Sequence, residues 1–218
     1  MSLERKIKAV VLTELIKTKH IDYSTLVFSE MTLAGKVRRV DLGYSRDGAF
    51  VGIEIKSEND SLVRLVGQVE EYTKYFDKLI LVVAPKFVSS ALLMSDSAVA
   101  IWEYAEDKIR VIRKGRLNYK IPKSNYVELM TKREIAQLVK AAGANPEGLA
   151  LYDLKLLVNE KCIGKLSRES VKAVFLGGIE KRYGPASKRF LGKVRAFGKV
   201  GEADLVLLSP YARNLSDN

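Results

Sequence analysis

Asp41, Glu54 and Lys56 are the residues of this chain whose types and spacing could do chemistry. Glu54 and Lys56 stand two apart in Phe50-Val-Gly-Ile-Glu-Ile-Lys56, an otherwise apolar run that reads as a strand. Side chains two apart on a strand share a face, so the acid and the lysine point together while Ile55 points into apolar packing. Asp41 lies in the preceding run, between Val40 and Leu42, and Arg46-Asp47-Gly48 reads as a hairpin turn between the two. Pairing across that turn brings Asp41 beside Glu54. Two carboxylates that close repel unless a cation lies between them. Mg2+ or Mn2+ suits the place, because such a hard cation needs only one or two carboxylates, with water and substrate phosphate completing its shell. An ion there polarises a phosphodiester and generates hydroxide from a bound water. Lys56 beside it would orient that water and offset charge in the transition state. The competing arrangement is a pair of acids salt-bridged to Arg38, Arg39 or Lys56 on an edge strand.

Composition narrows the alternatives. The chain has 218 residues, with 47% hydrophobic and 29% charged, as in an ordinary folded protein. There is one cysteine, Cys162, and one histidine, His20. That leaves no internal disulfide and no multi-ligand zinc cluster, so carboxylates, lysine and tyrosine must carry any catalysis. Cys162 is expected in the core and His20 at a helix end or on the surface. A reducing, cytoplasmic setting is expected, and no apolar run is long enough to cross a membrane. The net charge is +11, but residues 1–108 hold 15 Lys+Arg against 16 Asp+Glu, and residues 109–218 hold 22 against 10. A basic second half points to a polyanion partner, because contacts to phosphates release condensed counterions. A solvated surface that only keeps the protein soluble is the bland alternative.

The elements that must position the acids follow from periodicity. Residues 3–18 read as an amphipathic helix, 25–33, 37–44 and 49–56 as a three-stranded meander, with Gly35-Lys36 as its first turn. A helix over about 60–77, capped by Ser57 or Asp60, carries the stripe Leu62, Leu65, Val66, Val69, Phe76. The run 78–84 is a strand buried on both faces, followed by a short helix at 87–94, a strand at 98–104 and an edge strand at 109–113. After a linker at 118–125 helices dominate: one behind the capping box Thr131-Lys-Arg-Glu134, one over 149–158, one over 167–176 stopped by Gly177-Gly178, and one over 185–197. Residues 209–218 are expected to fray. Two domains are expected, 1–118 as an α/β domain and 119–218 as a basic helical domain.

Asp41 followed by Glu54-x-Lys56, set on strand, turn, strand and helix, resembles the active-site signature of the PD-(D/E)XK nuclease superfamily. Gln68-Val-Glu-Glu-Tyr72 on the next helix resembles the Q-x-x-x-Y motif of its exonuclease and RecB-like branches. The run Glu54-Ile-Lys-Ser57…Arg64-Leu65…Gln68…Tyr72 is also similar to small phage and bacterial members. The likeness covers about residues 24–84 and does not reach the basic C-terminal region.

The resemblance implies a restriction-endonuclease-like mixed central sheet flanked by helices. It implies Mg2+ or Mn2+ held by Asp41, Glu54 and the Ile55 carbonyl, with Lys56 and Gln68 catalytic. A third acid often accompanies such a site. Glu30, which interrupts an apolar strand, is the first choice, and Glu4 or Glu14 on the first helix the alternative. Arg64, Gln68 and Tyr72 at helical spacing form one polar column in which Arg64 and Tyr72 would contact nucleic acid, joined by Lys132, Arg133, Lys188 and Arg189 from the basic region. The function expected is a DNA-cleaving phosphodiesterase, endonuclease favoured over exonuclease, in phage, prophage or bacterial DNA processing. RNA and a homodimer stay open. The alternatives are a catalytically silent DNA-binding protein on the same fold and a protein-interaction module.

Overall fold

The computed structural model describes residues 3–33, 38–194 and 198–209. The expected Gly35-Lys36 turn, the last residues of the 185–197 helix and the frayed tail from 210 lie outside them. The contacts within the chain divide it into two compact units, 1–119 with 183–218, and 120–182.

The first unit holds one six-stranded mixed sheet in sequence order. Its strands are β1 (Leu26–Thr32), β2 (Arg39–Arg46), β3 (Ala49–Lys56), β4 (Lys78–Val83), β5 (Ala100–Ala105) and β6 (Lys108–Arg113). β1, β2 and β3 pair antiparallel, β3, β4 and β5 parallel, and β5 and β6 antiparallel. The architecture is therefore α/β as expected. Helix α1 (Leu3–Lys17) buries Ile7, Val11, Leu12 and Leu15 against one face, where Val51, Ile53 and Ile55 of β3 meet them. Phe190, Leu191 and Val194, from the end of the chain's longest helix, join the same cluster. Each such side chain, fully removed from water, contributes roughly 1.5–3 kcal/mol.

The alternate residues of β3, Phe50, Gly52, Glu54 and Lys56, face the other side. There Phe50 stacks between Phe28 and Phe76, with ring centroids 5.3 and 4.7 Å apart. A Cβ on Gly52 would come within 2.7 Å of the Phe76 ring, so only glycine admits that stack. Helix α2 (Leu65–Tyr72) is shorter than expected. Asp60 does not cap it; its carboxylate turns back to accept from Ser57 N (2.8 Å) and Ser57 Oγ (2.6 Å). A short acidic side chain finds backbone donors locally, and this closes a turn between β3 and α2. Helix α3 (Val88–Met94) follows β4.

The second unit contains α4 (Lys123–Glu128), α5 (Lys132–Ala141), α6 (Leu151–Leu157) and the first part of α7 (Arg168–Val194). Tyr126 stacks on Phe175 at 5.3 Å, and Ile135, Leu138, Leu154, Val158 and Cys162 are buried. Both bonds of the expected capping box form: Thr131 N donates to Glu134 Oε2 and Glu134 N to Thr131 Oγ1. The expected helix stop at Gly177-Gly178 does not occur; α7 runs through both glycines and through Pro185. Gly178 serves close approach instead, since a Cβ there would lie 2.0 Å from Glu134 Oε1. From Tyr183 onward the chain packs with the first unit, where a single domain over 119–218 was expected. The positive charge is accordingly shared: 25 Lys+Arg against 19 Asp+Glu in the first unit, 12 against 7 in the second. Among the described residues no helix is long and apolar enough to cross a membrane.

Candidate active site

The β2–β3 ladder runs from Arg46↔Ala49 to Leu42↔Ile53, and one more step would set Asp41 opposite Glu54. At that step a side chain takes over from the backbone: Ile55 N–H donates to Asp41 Oδ2 at 2.7 Å. The N–H and C=O of one strand residue face the same neighbour, so the Ile55 carbonyl faces Asp41's side as well. Across β1–β2, Ser29↔Leu42 and Met31↔Val40 put Glu30 level with Asp41. Glu30 has φ +52, a left-handed conformation that a non-glycine residue adopts only when its surroundings hold it there. Three acids thus stand in one row across three adjacent strands.

Glu54 is 2% exposed. Its Oε1 accepts from Lys56 Nζ (2.7 Å) and Gln68 Nε2 (2.5 Å). Its Oε2 is buried without a hydrogen-bond partner, and so is Gln68 Oε1. A buried acceptor left unmade costs about 1–3 kcal/mol, more for a charged group, so two beside each other call for a ligand. Tyr72 is buried and its hydroxyl donates to Arg39 O at 2.8 Å. It is a wall of the site and is held by the protein, which differs from the nucleic-acid contact expected of it. Arg64 is exposed at the start of α2. Glu54, Gln68, Tyr72 and Arg64 line a pocket of about 450 Å³ together with Glu4, Glu30, Asp41, Arg38 and Arg39.

Burial pushes the Asp41 carboxyl up to about 8, and the neighbouring Glu54 charge adds to the effect. Burial likewise raises Glu54, against the opposing pull of Lys56. Lys56 and Lys8 offset this only in part, and a cation between the two acids would relieve the rest. Glu30 is differently placed. Lys8 Nζ donates to its Oε1, and Arg39 Nη1 lies 3.7 Å from its Oε2. Carboxylate oxygens of Glu4, Glu30 and Asp41 lie within 4.8 Å of one another. Glu30 and Glu4 therefore both reach the site, and Glu14 lines a different pocket.

Lys8 was missed from sequence. Its signal was present, for it shares the α1 face with Leu12 and Leu15 at i+4 and i+7, and Glu4 stands four residues before it. The basic residues expected to grip nucleic acid are spread out. Lys132 and Arg133 are exposed in the first turn of α5 in the second unit, and Lys188 and Arg189 lie on the part of α7 belonging to the first. None lines the pocket. His20 is exposed beside the end of α1 and Cys162 is buried, as expected.

Residues 1–209 match the family model described as bacteriophage P4 protein cII. Protein cII of Enterobacteria phage P4 is 29% identical over 215 residues, covering 96% of this chain and 79% of that protein. A protein of unknown function from Silicibacter pomeroyi shows a distant structural likeness, 15% identical with a TM-score of 0.38, over 66% of this chain and 93% of that one. The phage affinity expected from sequence is met at the level of the family. The match runs through both compact units, and the chain belongs to the bacteriophage P4 protein cII family.

Proposed function

We propose that the protein is a metal-dependent nuclease of restriction-endonuclease-like fold that hydrolyses phosphodiester bonds of DNA in phage or bacterial DNA processing. The observation that carries this reading is the buried, orphaned Glu54 Oε2, with Lys56 on the same carboxylate and Asp41 level with it on the neighbouring strand. A divalent ion fits the residues present, because it would partner the orphaned Glu54 Oε2 and add positive charge beside half-buried Asp41. Asp41, Glu54 and the Ile55 carbonyl would hold Mg2+ or Mn2+, with Glu30 the third acid of the row. When bound, such an ion polarises the phosphodiester and lowers the pKa of a water.

The chain's own groups supply the rest. Lys56, fixed by Glu54 at 2.7 Å, is placed to orient the attacking water and to offset charge on the pentacovalent phosphate. Gln68 donates to Glu54 Oε1, which holds that carboxylate in one rotamer and leaves Gln68 Oε1 to accept from water. Arg38, Arg39 and Arg64, which line the pocket, suit bidentate binding of a phosphate. Lys132, Arg133, Lys188 and Arg189 would contact the DNA backbone without reading bases. Cleavage of both strands of a duplex calls for two sites and hence a homodimer.

Labelled DNA with Mg2+ and purified protein, beside Glu54→Ala and Lys56→Ala, tests the assignment. Wild type should cut and both variants should not; equal cutting by all three would falsify it. One observation favours a catalytically silent DNA-binding protein instead. With no ion, Asp41 keeps the Ile55 N–H and Glu54 keeps Lys56 and Gln68 as partners, so both acids also serve the fold. Salt-sensitive DNA binding with no metal-dependent cutting would select that reading.

A further inference from the structure

Helix α1 delivers a lysine to the acid cluster, and this determines how many ions the cluster can take. Lys8 is 6% exposed, its stem lying on the buried face of α1 with Leu12 and Leu15. Its ammonium sits between two carboxylates, hydrogen-bonded to Glu30 Oε1 and 2.6 Å from Glu4 Oε1. The four acids that line the pocket are therefore not equivalent. Glu4 and Glu30 already share a cation, whereas Asp41 and Glu54 do not, and the orphaned oxygen belongs to Glu54.

Phosphodiester cleavage by two ions requires a second set of carboxylates that holds an ion about 3.5–4 Å from the first. The Glu4, Glu30 and Asp41 oxygens, within 4.8 Å of one another, are the only such set among the described residues. We propose that the Lys8 ammonium takes the place of the second ion, so that this site works with a single divalent cation on Asp41 and Glu54. The inference rests on the metal-dependent reading above and deepens it. A buried monovalent cation tethered by its own helix costs no binding from solution. It offsets the charge of Glu4 and Glu30 without a second ion. A second divalent ion would have to displace an ammonium that cannot leave for water without breaking the packing of α1.

Calorimetric titration with Mn2+ in the absence of DNA separates the outcomes without any cleavage assay. Wild type should bind one ion. Lys8→Met, which keeps the stem and removes the charge, should bind two, and Lys8→Arg should return to one. Lys8→Gln, shorter and equally uncharged, should also bind two and decides the matter if Lys8→Met does not fold. Two ions on wild type, or a single ion on folded Lys8→Met or Lys8→Gln, overturns the role of Lys8 alone. No Mn2+ on wild type overturns the metal-dependent reading itself, and the role of Lys8 with it.

Discussion

Two buried glutamates show how differently the two units use an acid. In the second unit Glu134 is 8% exposed and both its oxygens are occupied: Oε2 accepts from Thr131 N at 2.8 Å, and Oε1 from Arg182 Nη1 at 2.7 Å. Gly178 leaves room for it. That carboxylate caps α5 and ties it to α7. In the first unit Glu54 is more deeply buried, yet one oxygen has no partner and its nearest acid neighbour is pushed up in pKa. Burial alone does not separate a structural acid from a functional one. An unsatisfied acceptor joined to a second acid of raised pKa does, whereas Glu202 Oε2, also unpartnered, lines a different pocket.

The sharpest way to break this comparison is to remove each acid's partners. Asp41→Ala or Glu54→Ala should lower metal-dependent cutting by about 10³-fold or more, the scale of losing an ion's several kcal/mol of transition-state stabilisation. Circular dichroism should show the fold retained, and a collapsed fold would make these acids structural like Glu134. Next in size is Gly178→Ala, which drives a methyl into the Glu134 carboxylate and should cost roughly 1–3 kcal/mol in a urea melt without altering Mn2+ binding. A Glu134 that moves aside at no cost would show its pairing to be dispensable.

The pH response should differ between the units as well. Asp41 must lose its proton to hold an ion, so Mn2+ affinity should fall by about tenfold per pH unit as pH drops below about 8, with one proton released per ion. The sign for stability is the reverse. The folded carboxyl sits above its unfolded value of 3.8, so the ion-free protein binds the extra proton in the folded state and should lose stability as pH rises from there toward about 8. Thermal melts at pH 5 and pH 8, with and without Mn2+, read both effects; a larger Mn2+ shift at the lower pH would contradict the assignment. The smallest effect belongs to the second unit's surface. The double change Lys132→Ala with Arg133→Ala should weaken DNA binding several-fold and flatten the log-affinity against log-salt slope by about 2, with the cleavage rate at saturating DNA unchanged.

The candidate site was partly legible before any coordinates. Gln68 was placed because helical spacing from Arg64 to Tyr72 is a local property, and the structure brings Gln68 onto Glu54. For Tyr72 the spacing left the partner open. A tyrosine on a polar column can face solvent or the sheet, and Arg39 O, 33 positions away, takes its hydroxyl. The helix stop at Gly177-Gly178 failed for the same kind of reason, since a glycine that ends a helix and one that admits a neighbouring carboxylate read alike until Glu134 is seen beside Gly178.

What this sequence determined by itself is short-range. It set the alternation that puts Glu54 and Lys56 on one face, the hairpin that aligns Asp41 with them and the capping box of α5, because each depends on residues within a turn or a hairpin of one another. Tertiary structure alone decided that Lys8 enters the acid cluster, that Glu54 keeps one oxygen unpaired, and that the chain returns to the first unit after Arg182, where Ser187 Oγ accepts from Val27 N at 2.8 Å. Those outcomes join residues from 22 to 160 positions apart. Their free energy comes from burial and desolvation, which no local pattern encodes.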